Sequence, residues 1–339
     1  MFRLFFKVLF VPNPVFFVRR LLKPLFTVVL FLSLISCDKN EVQNAPFVVG
    51  IINTNMGVKP IVESFKARLL ELNLVDDRQI EFIEPVSVKP HEVDLVLATM
   101  KSEGVDLVFT SGTGDTLKAQ KVFDTTSTSV IFAPVFDPVR SGVVKDLLHG
   151  NSSTTGVRVG GSNPKALEFA LMADPNLKKI LIPYSGLSVV ENFSLIDVQL
   201  AADKLGVELL LVKVKSSAEL EEAMRYLNQD IDAIWLLHSM FLAPRFSFYV
   251  KAAIENNVLL ISGTGLGKRG VMVSYSHDYV RTGHQVARLA HQISRGVSAR
   301  NLPIETADFF LSVNLDSAQK AGFKISDELL RQADNIYID

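Results

Sequence analysis

Short apolar runs rich in β-branched residues recur along this chain, and each run is followed by a stretch with helical periodicity. Phe47 to Ile52 and Val105 to Phe109 are two such runs, and both stop at small polar residues. A continuous apolar run of this kind indicates a strand that is buried on both faces of a sheet. Strands that alternate with helices predict an α/β fold with parallel, doubly wound sheets.

The alternation of strands and helices occurs in two successive series. The first series begins at Phe47, and the second begins at a helix opened by Asn163 and Pro164. A chain of 339 residues is long enough for two domains, each with its own hydrophobic core. We therefore expect two similar lobes, joined between residues 150 and 160.

One strand ends at a strong helix-start signal. The apolar run Val130 to Val135 is followed by Phe136, Asp137 and Pro138. Asp is a favoured N-cap residue and Pro a favoured first helical residue, so the pattern predicts a short helix that ends at Gly150. In α/β sheets small ligands bind where a strand ends and a helix begins. An ordinary capped junction without a ligand is the alternative interpretation.

The N-terminal residues are typical of a secretory signal. Three basic residues at 19, 20 and 23 precede an apolar run at 24–35 that is too short for a comfortable membrane span. The run ends in Leu-Ile-Ser-Cys, which resembles a bacterial lipobox, and Cys37 is the only cysteine of the chain. We expect residues 1–36 to be a lipoprotein signal peptide, Cys37 to be acylated, and residues 37–45 to form a polar tether.

The charge balance argues against nucleic acid as a partner. Five of the 35 basic residues and none of the 36 acidic residues lie in the first 37 positions, so the remainder is acidic. Binding to nucleic acid requires a basic face.

No motif predicts catalysis, a metal or a cofactor. The run Gly263 to Arg269 lacks the Walker spacing, and no Gly-x-Ser-x-Gly elbow is present. His277, His284 and His291 are spaced by sevens, which places neighbours about 10.5 Å apart along a helix. That separation is too large for two imidazoles to bind one metal ion.

Polar and aromatic residues instead follow the predicted buried strands, at the edges where a ligand can bind. Backbone amides at helix starts can hold a carboxylate, Asp137 can accept from an amine or hydroxyl, and Phe136 and Tyr184 offer aromatic faces. The predicted ligand-binding residues of the first series are Asn53, Thr54, Ser111, Gly112, Thr113, Phe136 and Asp137. Those of the second series are Tyr184, Ser185, His238, Ser239, Gly263 and Thr264.

Several strings in the chain resemble those of one known family. They include Asp137-Pro138-Val139 with Gly142-Val143-Val144, Thr155-Gly156-Val157, Asp232-Ala233-Ile234 and Leu302-Pro303-Ile304-Glu305. Over about residues 46–337 the chain is similar to substrate-binding proteins of ABC transporters with the type I periplasmic-binding fold. Their family includes tryptophan- and tyrosine-type binding components. The chain departs from the family pattern at Tyr184-Ser185-Gly186, where Tyr-Asn-Pro is usual, and at His238-Ser239, where an acidic residue is common.

The resemblance implies a two-lobed protein that closes around one ligand through a hinge of three crossings. Residues 46–157 and 277–304 form the first lobe, and residues 158–276 and 305–339 form the second. The implied function is extracytoplasmic binding of a small amino acid-like or aromatic carboxylate, without catalysis. The implied partners are an ABC permease with its ATPase subunit, and membrane lipid through acylated Cys37.

Three alternative functions stay open on the sequence alone. The ligand could be neutral, such as a nucleoside or a sugar, because the predicted site contains no arginine. The closed form could signal to a membrane kinase or chemoreceptor instead of a transporter. A hydrolase or transferase would need a nucleophile and a base within hydrogen-bond reach at the strand ends.

Overall fold

The structure is a computed structural model that describes residues 45–75, 79–148, 153–228, 230–239 and 241–338. The predicted signal peptide, Cys37 and nearly all of the predicted tether lie outside these residues. Within the described part, every helix is too short or too polar to cross a membrane.

Strands and helices alternate along most of the described chain. The strands are β1 (Phe47–Ile52), β2 (Ile80–Ile83), β3 (Leu107–Thr110), β4 (Ser129–Val135), β5 (Thr154–Arg158), β6 (Lys179–Tyr184), β7 (Glu208–Lys213), β8 (Ala233–Leu236), β9 (Leu259–Ser262), β10 (Val273–His277), β11 (Glu305–Thr306), β12 (Phe309–Asn314) and β13 (Asn335–Tyr337). The α-helices are α1 (Lys59–Val75), α2 (Val93–Glu103), α3 (Thr113–Phe123), α4 (Asn163–Ala173), α5 (Val189–Leu205), α6 (Ser217–Ala223), α7 (Phe246–Glu255), α8 (Tyr279–Ser294), α9 (Leu315–Lys320) and α10 (Asp327–Gln332).

The strands form two sheets, which confirms the predicted α/β fold. The first sheet has the order β11-β5-β4-β3-β1-β2, and all of its neighbouring strands are parallel. The second sheet has the order β13-β12-β10-β9-β8-β6-β7, and only the β10–β12 pair is antiparallel. Because parallel strands point the same way, the carboxyl ends of all strands of the first sheet share one edge, and so do those of β6 to β10 in the second sheet.

Both faces of the first sheet are covered, which explains its continuous apolar strands. In β3, Leu107 and Phe109 belong to the core that contains residues of α1 and α8. Val108 between them belongs to a different core, which contains residues of α2 and α3. Side chains of a strand alternate between faces, so a strand with helices on both sides must be apolar at every position.

The chain passes between the two sheets three times: from β5 to α4, from β10 to α8, and from β11 to β12. The strand ends differ by one or two residues from the lobe boundaries expected from the sequence. Arg158 and Glu305–Thr306 pair within the first sheet, whereas we expected them in the second lobe. His277 pairs with Phe309 in the second sheet, whereas we expected it in the first lobe.

The helix predicted after Asp137 is wrong, because residues 138–142 form a turn and residues 143–148 are irregular. Asp137 does cap that turn, since its Oδ1 accepts from the amides of Val139 (3.1 Å) and Arg140 (2.9 Å). The turn then ends at Gly142, whose φ of 76° is left-handed. Val143 and Val144 are buried in a small apolar cluster with Phe132 and Val135 of β4, so the chain packs against the sheet after the turn. The predicted helix end, Gly150, lies outside the described residues.

Helices α1 and α8 approach each other closely at a glycine. A Cβ atom added to Gly283 would lie 2.6 Å from the carbonyl oxygen of Ile61 and 2.9 Å from the amide nitrogen of Phe65. Backbone atoms cannot move aside as a flexible side chain can, so this crossing requires the absence of a side chain.

We expect Gly283→Ala to lower the free energy of unfolding by about 1–3 kcal/mol, because overpacking forces the two helices apart. Gly114→Ala in α3 is the matched control, since its Cβ would meet nothing within 4 Å. The control should be neutral or slightly stabilising, because Ala favours helix over Gly. Urea unfolding followed by circular dichroism compares the two, and equal midpoints would contradict the close approach.

Candidate functional site

The ends of β1 and β3 bring several predicted site residues together. Ser111 is buried and donates its hydroxyl to Oδ1 of Asn53 at 2.6 Å. The same oxygen accepts from the amide of Asn55 at 3.0 Å. The two strands are parallel neighbours, so the residues that follow them are held side by side. This polar rim forms the first half of the candidate site.

Asp115 belongs to the same rim and was missed in the sequence analysis. It lies in the first turn of α3, is buried, and accepts from the hydroxyl of Thr54 at 2.8 Å. Burial raises the pKa of Asp115, and the hydrogen bonds from Thr54 oppose that rise. An acidic residue in a first helical turn is common on any helix, so its position alone did not distinguish it.

A ring contact joins the rims of the two sheets. Phe136 follows β4 of the first sheet, and His238 follows β8 of the second. Their ring centroids are 5.5 Å apart with an angle of 63° between the planes. Nδ1 of His238 is shielded from solvent and has no hydrogen-bond partner among the described residues. Burial lowers the pKa of His238 to about 4, so the ring is neutral at neutral pH.

His277, which the sequence analysis considered only as a metal ligand and rejected, is buried at the second crossing. Its Nδ1 lies 3.0 Å from the hydroxyl oxygen of Thr282, and that hydroxyl donates to the carbonyl of Asp278 at 2.7 Å. The one hydroxyl proton is thus used, so Nδ1 of His277 must donate and Nε2 is the acceptor. Burial, together with the nearby His238, lowers the pKa of His277 to about 3. Its ring also contacts that of Tyr279, with centroids 5.0 Å apart.

The polar groups of Ser185, a predicted ligand residue, form hydrogen bonds within its own loop. Its amide and its hydroxyl both donate to the buried carboxylate of Glu191, in the first turn of α5. The amide of Gly186 donates to the same carboxylate at 2.8 Å. Tyr184, the last residue of β6, packs partly buried against the core of the second sheet.

The remaining predicted residues of the second rim also stabilise tight loops. The hydroxyl of Ser239 accepts from the amide of Leu242 at 3.3 Å. The amide of Thr264 donates to the hydroxyl of Ser262 at 2.9 Å. A side chain at Gly263 would collide with the side-chain carboxamide oxygen of Asn163, the first residue of α4. These loops give the second rim a fixed shape.

The carboxylate of Asp137 is already satisfied by groups of the protein. Its Oδ1 accepts the two capping amides of the turn, and its Oδ2 accepts from Nε of Arg140 at 2.6 Å. Burial works to raise the pKa of Asp137, but the hydrogen bonds and charge of Arg140 hold it below its usual range. Asp137 therefore holds the turn and orients Arg140.

Arg140 connects the two halves of the molecule. Nη2 of Arg140 donates to Oδ1 of Asp197 on α5 at 2.8 Å. The guanidinium carbon of Arg140 lies 4.7 Å from the ring centroid of Phe193 on the same helix. Burial raises the pKa of Asp197, and the hydrogen bond and charge of Arg140 oppose that rise. The partners are 57 residues apart, and no sequence pattern pointed to this contact.

The chain matches the model of a known protein family and is similar to a protein of that kind. The model of the family described as ABC transporter substrate binding protein matches residues 51–337. The tyrosine-binding protein of Clostridioides difficile strain R20291 is 26% identical over 209 residues, which are 61% of this chain. The match spans 60% of that relative's length.

Two solved structures share the fold at low identity. One is an ABC domain from Streptococcus pneumonia in complex with L-Trp, with a TM-score of 0.72 and 21% identity, covering 86% of this chain and 99% of that chain. The other is the ligand-free, open structure of a substrate-binding protein with adhesive properties from Clostridium difficile. It has a TM-score of 0.72 and 20% identity, and also covers 86% of this chain and 99% of that chain.

We expect Arg140→Ala to lower the free energy of unfolding by about 1–2 kcal/mol, because it leaves two partly buried carboxylates without their cation. Arg288→Ala is the matched control. Arg288 on α8 pairs with Glu305 on β11 at 2.9 Å, and this ion pair does not join the two sheets. The control should cost less than about 1 kcal/mol, as is usual for an exposed pair. Urea unfolding measures the free energy of unfolding of both variants. Equal losses would show that the Arg140 ion pairs contribute no more than an ordinary exposed pair.

The lowered pKa values of His238 and His277 predict that the free energy of unfolding falls in mild acid. Their folded pKa values, about 4 for His238 and about 3 for His277, lie below the value of about 6.5 in an unfolded chain. The unfolded state therefore binds more protons as the pH falls through 6.5, and stability decreases from there down to the folded pKa values. Between pH 7 and pH 5 the loss should reach up to about 2 kcal/mol per histidine.

Melting midpoints across this range test the assignment. His238→Gln should flatten the pH dependence, whereas His91→Gln, at an exposed side chain, should leave it unchanged. The assignment is wrong if all three proteins show the same slope.

Proposed function

Because this chain belongs to the family of ABC transporter substrate-binding proteins, we propose that it binds a small amino acid between its two sheets and delivers it to an ABC permease. The family match covers the strings through which the sequence resembled that family. The observation that carries the proposal is the ring contact between Phe136 and His238, because it joins strand ends of both sheets. A ligand seated beside it would touch both rims.

An aromatic amino acid is the ligand that this site suits best. The relatives include a tyrosine-binding protein and a domain in complex with L-Trp. In this chain Phe136, His238, His277 and Tyr279 are aromatic residues at the strand ends and the second crossing, and both imidazoles are neutral at neutral pH. Offset and edge contacts between such rings and an aromatic ligand are favourable.

We assign the amino group of the ligand to Asp115. This carboxylate is buried on the first rim, and within the described part of the chain its hydrogen-bond partners are groups of one residue, Thr54, while the charge of Lys118 also favours its ionised form. A ligand ammonium would supply the countercharge that a buried carboxylate needs, and would favour its ionised form. Asp137 is less suited to this role, because Arg140 and the capping amides already occupy its oxygens.

Ligand binding would act through closure of two lobes about the three crossings. We propose as lobes the two sheets with their helices, which are about residues 46–157 with 277–304, and residues 158–276 with 305–339. Contacts from both rims stabilise the closed form and so shift the hinge equilibrium toward it.

The serines of the candidate site support binding without catalysis. The hydroxyl of Ser111 donates a hydrogen bond to Asn53, that of Ser185 donates to Glu191, and that of Ser239 accepts from a backbone amide. Among the described residues, no histidine forms a hydrogen bond with any of these three serines, and such a partner is what activates a serine nucleophile. The lipobox sequence supports an extracytoplasmic protein held to the membrane by acylated Cys37, with the permease and its ATPase subunit as partners.

A thermal-shift series on the mature chain tests this function. An aromatic amino acid should raise the melting midpoint, since a ligand bound only by the folded state adds about 2.7 kcal/mol at a concentration 100 times Kd. Phe136→Ala should weaken the shift, while Lys251→Ala, at an exposed position on α7, should preserve it. A shift produced only by nucleosides or sugars would overturn the amino acid assignment.

The role of Asp115 has its own test. Asp115→Asn keeps an acceptor for Thr54 but removes the charge, so it should weaken binding of the amino acid about tenfold or more. Binding of the same ligand without its amino group should change little. If the two ligands lose affinity equally, Asp115 does not contact the amino group.

A further inference from the structure

A surface cavity of about 420 Å³ lies at the first crossing between the two sheets. Its walls come from the turn after β4, from the crossing itself, and from α5 in the second half of the molecule. Asp137 is the only predicted ligand residue among the residues that line it. The volume is in the range of small-molecule pockets.

The cavity carries positive charge that the protein leaves uncompensated. Its three cations are Arg140, Arg158 and Lys204, and its two carboxylates both pair with Arg140. Arg158 donates its Nε to the hydroxyl of Thr306 at 3.0 Å. Within the described part of the chain, neither Arg158 nor Lys204 forms an ion pair with an acid. Three cations therefore face two carboxylates, and the cavity keeps a net positive charge even though the charge of Arg158 also acts on Asp197.

The remaining surface of the cavity is apolar or free of side chains. Leu200 is 65% exposed there, and Pro164 and Ala201 also line the wall. The crossing contributes Gly160, where a side chain would collide with the carbonyl of Phe136, and Gly161, whose φ of 103° excludes most side chains. The geometry keeps this space open and gives it a hydrophobic face.

We propose that this cavity is a second binding site, for a small organic anion in which a carboxylate is attached to an apolar body. Arg158 and Lys204 bind the carboxylate by charge-assisted hydrogen bonds. The apolar body packs on Leu200 and Pro164. Phe136, His238 and Asp115, on which the proposed amino acid site depends, do not line this cavity, so the proposal does not depend on which ligand binds there.

Calorimetric titration of the mature protein with hexanoate tests the proposal. Hexanoate should bind, and hexanamide, which has the same body without the charge, should not. Arg158→Met with Lys204→Met preserves the aliphatic stems and should weaken hexanoate binding about tenfold or more. The matched control, Arg225→Met with Lys251→Met, removes the same charges at exposed positions elsewhere and should bind as the parent does.

Three outcomes would overturn the proposal. The first is the absence of hexanoate binding up to its solubility limit, and the second is equal affinity in the two double variants. The third is inorganic phosphate binding as tightly as hexanoate, which would show an oxyanion site without an apolar component. Unfolding midpoints of both double variants establish that a loss of binding is not a loss of fold. Failure of the amino acid assays leaves all of these outcomes unaffected.

Discussion

The parallel pairing of strands is the constraint on which the rest of this structure depends. Every neighbouring pair in the first sheet is parallel, so the residues that follow β1, β3 and β4 meet at one edge. Parallel strands need a crossover connection, and the helices of these crossovers cover both faces of the sheet. The polar groups that cannot be buried are thereby concentrated at the strand ends, which is where Asn53, Ser111 and Phe136 lie.

The contacts between the two halves are of a kind that can break and reform. Arg140 binds Asp197 and contacts Phe193, but about a third of its side chain remains exposed. Such partly exposed pairs contribute modestly to stability, because water competes with each partner. A fully buried pair would cost several kcal/mol to separate and would hold the halves in one arrangement. An interaction of intermediate strength suits the proposed closure of two lobes, because the closed form must also be able to open.

The two histidines near the second crossing are uncharged, and this determines which groups can lie beside them. With pKa values of about 4 and about 3, His238 and His277 carry no charge at neutral pH. Two imidazolium ions so close together would repel each other and any ligand ammonium. As neutral rings they are polar at their edges and apolar on their faces, a combination that fits an aromatic ligand with a hydrogen-bonding substituent.

The sequence by itself determined the α/β class, the two sheets and the strand ends at which the polar residues cluster, because burial on both faces leaves a local, periodic pattern of apolar residues. It also identified the capping role of Asp137, but it could not show that Gly142 and the buried Val143 end the turn before a helix forms. Only the tertiary structure decided which polar groups are already satisfied, as with Asp137 and Ser185, and which groups meet across the crossings, as with Arg140 and Asp197. Those pairings join residues far apart in the chain, and their geometry depends on how the two sheets are placed relative to each other, which no local pattern records.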